Sequence, residues 1–253
     1  MRLERIFFLA FRLGLLVMLA QAVTATAAEI KVLSTIGVRS VMHELVPRLE
    51  QATGHKLVIV YEVANVLKRR IDAGESFDVA ILTLAVTDDL MRQGKIMDGT
   101  RSGIARSGNG LAVRAGALKP DISTAEAFKR ALLGAKSIAY SKEGASGIYF
   151  AGLLQRLGIA AEMKPKMRLA GGDVAELVAR GEVEMAVQLI PELIAVNGVE
   201  LVGPFPPELQ NHVVFMAGIG ARAREPEAAR ALIRFLMTPE VIPVIRSKGL
   251  EPG

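Results

Sequence analysis

The chain has 253 residues and a formal charge of +5, with 51% apolar but only 5% aromatic residues. That length provides one or two domains with real cores, and a preponderance of Ala, Val, Leu and Gly suits helices packed on a parallel sheet. The absence of cysteine excludes a disulfide framework, a thiolate metal site, a Cys nucleophile and lipid attachment through Cys. Basic residues are scattered apart from Lys68-Arg69-Arg70, which falls on a helix and reads as a solvated face, so no nucleic-acid partner is expected.

The first residues read as an address. Arg2, Arg5 and Arg12 form a basic start, and Leu13 to Val23 is an apolar run too short for a permanent membrane span. Ala25-Thr26-Ala27 supplies a small-x-small cleavage pattern. Residues 1–28 are therefore expected to be a signal peptide, cut after Ala27 or Ala28, with an unlipidated product in the periplasm. Their removal leaves a charge of +3.

Ile30 to Leu33 is a short apolar strand that breaks at Ser34, Thr35 and Gly37. Val38, Val41, Met42, Leu45, Val46 and Leu49 then fall on one helical face, and Thr53-Gly54 stops the helix. Such a strand–turn–helix junction offers hydroxyls and free N–H groups at one point, a ready anion seat. Lys56–Tyr61 is a second strand whose continuous apolar run predicts burial on both faces. Asn65 is a candidate N-cap for a helix over Val66–Ala73. Phe77–Thr83 is a third strand, and Thr87-Asp-Asp opens the next helix. This βαβαβα pattern predicts a parallel sheet with right-handed crossovers.

From Arg101 to Gly110 the texture loosens into a crossing segment, followed by a short strand at Leu111–Val113. Ser123-Thr-Ala-Glu126 reads as a capping box for a helix through Leu133. Ser137–Tyr140 is a strand, and the turn Ser141-Lys-Glu-Gly-Ala-Ser-Gly147 leads into a helix over Ile148–Leu157. Asp173 begins another helix, and Val183–Leu189 is a strand. Pro204, Pro206 and Pro207 mark a second crossing. His212–Ile219 is the last strand, and Pro226 starts a helix burying Ala229, Leu232, Ile233 and Leu236. A further helix follows Pro239. Two α/β lobes joined by two crossings imply a cleft at the carboxyl ends of the strands. The expected division is residues 29–106 with 208–253 in lobe 1 and 107–207 in lobe 2.

In its order of motifs the chain resembles the periplasmic solute-binding proteins of ABC importers, and within them the molybdate-binding family. The echoes are Thr53-Gly54-His-Lys, Leu67-x-x-x-Ile71-x-x-Gly74, Phe77-Asp-Val-Ala-Ile, Gly147-Ile-Tyr149, Leu157-Gly158, Asp173-Val174 and Phe235-Leu-Met-Thr-Pro-Glu240. The resemblance implies a type II periplasmic-binding-protein fold, a small anionic ligand gripped by hinge closure, a membrane permease as partner, a monomer and no cofactor. It places Gly37-Val38 at the family's first serine and Val63-Ala64-Asn65 at its serine-rich second turn. Ser146 falls on the small residue before Gly-x-Tyr, the Val174 N–H on the start of a ligand-facing helix, and Leu189, beside Gln188, on a closing tyrosine. The candidate ligand-binding set is therefore Ser34, Thr35, Gly37, Ala64, Asn65, Ser141, Ser146, Val174 and Gln188. Ser34 and Thr35 either donate to ligand or cap their own turn; Asn65 caps its helix with or without a ligand contact.

Two family hydroxyls and a phenol are missing at these positions, which tilts the expected ligand from molybdate or tungstate toward a small organic carboxylate. Lys142, Arg39 or Arg168 would then neutralise it. No metal site is expected, since His43, His55 and His212 are isolated from one another and from ligand-spaced partners. No paired catalytic constellation is visible, so the chain is expected not to be an enzyme. The competing reading is a periplasmic isomerase or hydrolase of a carboxylated substrate, drawing on Glu62, Glu143 or Asp173. A third is a sensor subunit docking on a membrane kinase.

Overall fold

Strand β1 (Glu29–Thr35) is buried along its last four residues because it is central in its lobe. It lies parallel to β2 (Lys56–Glu62) on one side and β3 (Val79–Thr83) on the other. A computed structural model describes residues 27–253 of the chain, so the reading of residues 1–28 as a signal peptide lies almost wholly outside the described residues. Helices α1 (Arg39–Thr53) and α2 (Ala64–Asp72) make the crossovers, and α3 (Leu84–Arg92) follows β3. On α1 the residues Val41, Met42, Leu45 and Leu49 are fully buried, while Val46 is half-buried at the margin of that face. Burial of β2 on both faces is not what the fold has: β2 is the edge strand, and Val58 is exposed. The start of α3 also lies earlier than Thr87, because Thr83 already takes the extended N-cap conformation.

The crossing segment is not a loop. Strand β4 (Ser102–Arg114) runs unbroken for 13 residues through both lobes. It pairs antiparallel with β9 (His212–Ile219) as far as Gly108. From Asn109 onward it pairs with β7 (Met185–Leu189), and from Gly110 with β8 (Val199–Pro204). The return crossing, between β8 and β9, is tied to β4 by an amide that imitates a strand. Gln210 Oε1 accepts from Asn109 N at 2.8 Å, and Gln210 Nε2 donates to Asn109 O at 3.0 Å. Asn109 Nδ2 donates to Asn211 O at 2.9 Å.

In the second lobe β5 (Ile138–Ser141) lies between β6 (Met167–Ala170) and β7, parallel to both. Its helices are α4 (Ala125–Gly134), α5 (Ala145–Arg156), the short α6 (Ala160–Met163), α7 (Val174–Ala179) and α8 (Ile190–Ile194). The capping box is displaced by one residue: Thr124 is the cap, its hydroxyl accepting from Ala127 N at 3.1 Å. The core centres on Phe205, whose ring lies 4.7 Å from Phe128 and 6.3 Å from Phe150. Helices α9 (Pro226–Leu236) and α10 (Ile242–Ser247) close the first lobe, and the final strand β10 (Glu251–Pro252) pairs with β4.

One buried acid fastens this lobe. Asp78 Oδ2 accepts from Lys31 N at 2.8 Å, and its Oδ1 accepts from Arg224 N at 2.7 Å and Glu225 N at 3.1 Å. The carboxylate thus joins β1 to the start of α9, where the helix dipole favours negative charge. Asp78→Ala would leave these three donors unpaired, and a hydrogen bond to a charged group is worth about 1.5–3 kcal/mol. The expected loss is about 3 kcal/mol or more by urea unfolding, with Asp78→Asn losing less.

Candidate functional site

Five junctions share one local geometry. Thr35 precedes the 3-10 turn Ile36–Val38 that feeds α1, Val63 precedes α2, Thr83 precedes α3, Gly144 precedes α5 and Leu189 precedes α8. Each of the five is an extended N-cap with ψ between 143° and 151°, and none makes a side-chain capping bond. Val63, Gly144 and Leu189 have no side-chain acceptor with which to make one. All five line one cavity between the lobes. Their first-turn N–H groups, fewer at α8 because Pro191 has none, therefore point partial positive charge at a common centre, which favours an anion.

Two glycines allow this convergence. A Cβ on Gly37 would sit 2.6 Å from the Phe215 ring, and one on Gly147 would sit 1.7 Å from the carbonyl oxygen of Ser141. Without these close approaches neither the first turn nor the start of α5 could reach the centre.

The cavity is closed down to about 20 Å³, room for about one water. A larger cavity of about 580 Å³ adjoins it, within the usual size of a small-molecule site. Ile36, Gln188 and Glu192 line both and form the partition. Gln188 is fully committed: its Oε1 accepts from Ala175 N at 2.8 Å, and its Nε2 donates to Gly172 O at 2.8 Å and to Glu192 Oε2 at 3.1 Å. Burial pushes the Glu192 carboxyl up to about 7, outweighing the Leu189 N–H, the Arg39 charge and the Gln188 amide, all of which favour the ionised form. Glu192 is thus half-protonated near neutrality.

Of the residues singled out in the sequence, Thr35, Ala64, Ser141, Ser146 and Gln188 line the smaller cavity. Ser34 does not; it is buried one residue back in β1, with its hydroxyl directed to Thr35 O at 3.3 Å. Gly37 packs against Phe215, and Val174 lies in the second-lobe core. Asn65 does not cap: its Nδ2 donates across the cleft to Glu143 O at 2.9 Å. Ser141 Oγ accepts from Gly144 N at 3.0 Å. Among the basic candidates, Arg39 lines the larger cavity, whereas Arg168 pairs with Glu182 at 3.0 Å and Lys142 is exposed. Glu62 accepts from Val63 N at 2.8 Å, Glu143 pairs with Arg69 at 2.7 Å, and Asp173 lies on the wall of the larger cavity. Glu192 was not among the acids singled out.

A two-lobed α/β fold of the type II periplasmic-binding class, with its cleft at the strand ends, is thus in hand. The chain belongs to the bacterial extracellular solute-binding protein family, whose sequence profile matches residues 30–251. Over 240 residues it is 34% identical to a Pseudomonas protein named aconitate isomerase, covering 92% of this chain and 90% of that one. Its fold matches the periplasmic molybdate-binding protein of Azotobacter vinelandii with a TM-score of 0.76 at 19% identity, over 88% of this chain and 99% of that one. The sulfate-binding protein of Mycobacterium tuberculosis matches with a TM-score of 0.69 at 16% identity, over 89% of this chain and 87% of that one. At such identities these two likenesses bear on the fold alone.

The isomerase relative corrects the expectation that the chain is not an enzyme. That expectation rested on the lack of paired acids near the turns. Glu192, a single carboxyl that burial raises to about 7, is not marked by any spacing in the sequence.

The raised Glu192 value also sets a pH dependence of stability. Below about 4.5 the carboxyl is protonated in both folded and unfolded chains. As pH rises from there to about 7, the unfolded chain releases the proton and the folded chain keeps it, so this contribution to stability falls. Glu192→Gln stays neutral and should gain on the parent by about 1–3 kcal/mol between pH 4.5 and 8. Urea midpoints of both proteins at pH 5 and pH 8 check this.

Proposed function

We propose that the chain is a periplasmic isomerase of a small unsaturated polycarboxylate, with aconitate as the first candidate, and that Glu192 moves the proton. The observation that carries this reading is Glu192 itself, a carboxyl brought to about 7 on the partition beside five uncapped helix starts. Identity of 34% to a protein named aconitate isomerase supports it.

The chemistry suits one group that both takes and returns a proton. Aconitate has a CH2 and a vinylic CH on either side of a central carbon, each of the three bearing a carboxylate. Ionised Glu192 removes a proton from the CH2, and the electron pair of that C–H bond moves into the conjugated system, placing charge on a carboxylate oxygen. Protonated Glu192 then returns the proton to the former vinylic carbon, and the double bond ends one position along. One proton leaves and one comes back, with no oxidant or reductant. The helix N–H groups at the smaller cavity stabilise the charge that develops on oxygen. A base near neutrality keeps both protonation states populated, as the two half-steps require.

Access requires the lobes to part, since the smaller cavity holds about one water when closed. The Arg69–Glu143 pair and the Asn65 bond bridge the lobes, but Arg69 is exposed and such a pair contributes little. Leu189 also packs into the first-lobe core, so ligand contacts add to apolar packing in closing the lobes.

A second reading, delivery of a small anion to the permease of an ABC importer, rests on the family and is compatible with turnover. Export by a cleaved, non-lipidated signal and action as a monomer suit both readings.

Purified protein should interconvert cis- and trans-aconitate, followed by NMR, and should place solvent deuterium in the CH2 group. Glu192→Gln should lower the rate at least ~100-fold while still binding substrate. Tight binding without interconversion, or tight molybdate binding with no carboxylate response, would set the isomerase reading aside in favour of the receptor.

A further inference from the structure

Two residues on the wall of the larger cavity carry a buried donor with nothing to donate to. Arg39 Nε and Ser40 Oγ, adjacent at the start of α1, are both buried and without a hydrogen-bond partner, and both residues line the cavity of about 580 Å³. Among the described residues the Arg39 guanidinium makes no hydrogen bond and no ion pair. A buried polar group left unpaired costs stability, so such a pair calls for an acceptor.

Arg39 is also held in place. Its guanidinium carbon lies 5.4 Å from the centre of the Tyr61 ring, and Tyr61 is met edge-on by His43 at 5.3 Å. Burial pushes the Tyr61 phenol up to about 12, so it carries no charge to compete for Arg39. The other charged groups on the cavity wall are accounted for. Lys248 is paired with Glu44 at 2.9 Å and Glu176 with Arg180 at 3.3 Å, while Asp173 is exposed. Glu192 and His43 remain, and Glu192 stands on the partition toward the helix starts.

We propose that the larger cavity is a second carboxylate subsite built on Arg39 and Ser40, so that the substrate carries carboxylates on both sides of Glu192. The first rests at the convergent helix starts and the second is taken by the guanidinium fork. Arg39 is then a specificity-determining residue that requires a polycarboxylate and holds its reacting carbon at the partition. This rests on the isomerase reading for the role of Glu192, but the subsite is tested by binding alone.

The experiment is calorimetry on the protein lacking residues 1–28, with propane-1,2,3-tricarboxylate, which has no double bond to isomerise, and with butyrate and inorganic phosphate. The parent should bind the tricarboxylate at least tenfold more tightly than either. Arg39→Gln should weaken the tricarboxylate at least tenfold and change butyrate by less than twofold, and Arg39→Lys should recover part of the loss. Thermal unfolding of both variants reports whether the fold is retained. Equal weakening of tricarboxylate and butyrate, no change in the tricarboxylate, no carboxylate binding by the parent, or phosphate bound as tightly as the tricarboxylate would each overturn the subsite. Tricarboxylate binding with this Arg39 dependence, but no turnover of aconitate, would keep the subsite and remove the isomerase.

Discussion

The constraint on which the site depends is the shortage of acceptors at five helix starts. A helix leaves its first N–H groups without internal partners, and proteins usually meet them with a capping side chain. Here the capping positions are Thr35, Val63, Thr83, Gly144 and Leu189, and none of them caps. The same extended backbone at each aims the donors into the space between the lobes. That space must therefore hold water or an anion, and a carboxylate or oxyanion answers several of the donors at once.

The surrounding architecture serves that arrangement. β4 carries the chain from one lobe to the other without losing its strand geometry, and Gln210 fastens the return crossing to it through both its amide atoms. Each lobe has a core of its own, but Leu189 of the second lobe packs into that of the first, so opening also breaks apolar contact across the cleft. Glu192 stands on the partition between the two cavities, and burial raises its proton affinity.

Much of the fold was legible in the sequence because it rests on local signals. β9 spans His212–Ile219 as its apolar run suggests, and α9 starts at Pro226 with the expected buried face. Local signals failed where partners decide. Leu57–Val60 looks like a central strand but lies at the edge, and the loose run Arg101–Gly110 is mostly strand because β9 and β7 pair with it in turn. At the site, the recurrence of strand–turn–helix junctions was visible, and with it Thr35, Ala64, Ser141, Ser146 and Gln188, which line the cavity. Strand alternation turns Ser34 away from the side that Thr35 presents, and Asn65 is taken up by Glu143 across the cleft. Glu192 gave no signal: in Ile190-Pro-Glu-Leu-Ile it is one acid in a short helix, and its proton affinity arises only from what surrounds it after folding.

The central claim, that the closed chamber holds one carboxyl poised at neutral pH, is open to direct measurement. Carbon-13 NMR of protein labelled at glutamate side-chain carboxyls, titrated from pH 4 to 9 and assigned with Glu192→Gln, reads that ionisation. The account predicts that the Glu192 resonance moves with a midpoint about 7. A midpoint near the ordinary glutamate value of about 4.3 would contradict it.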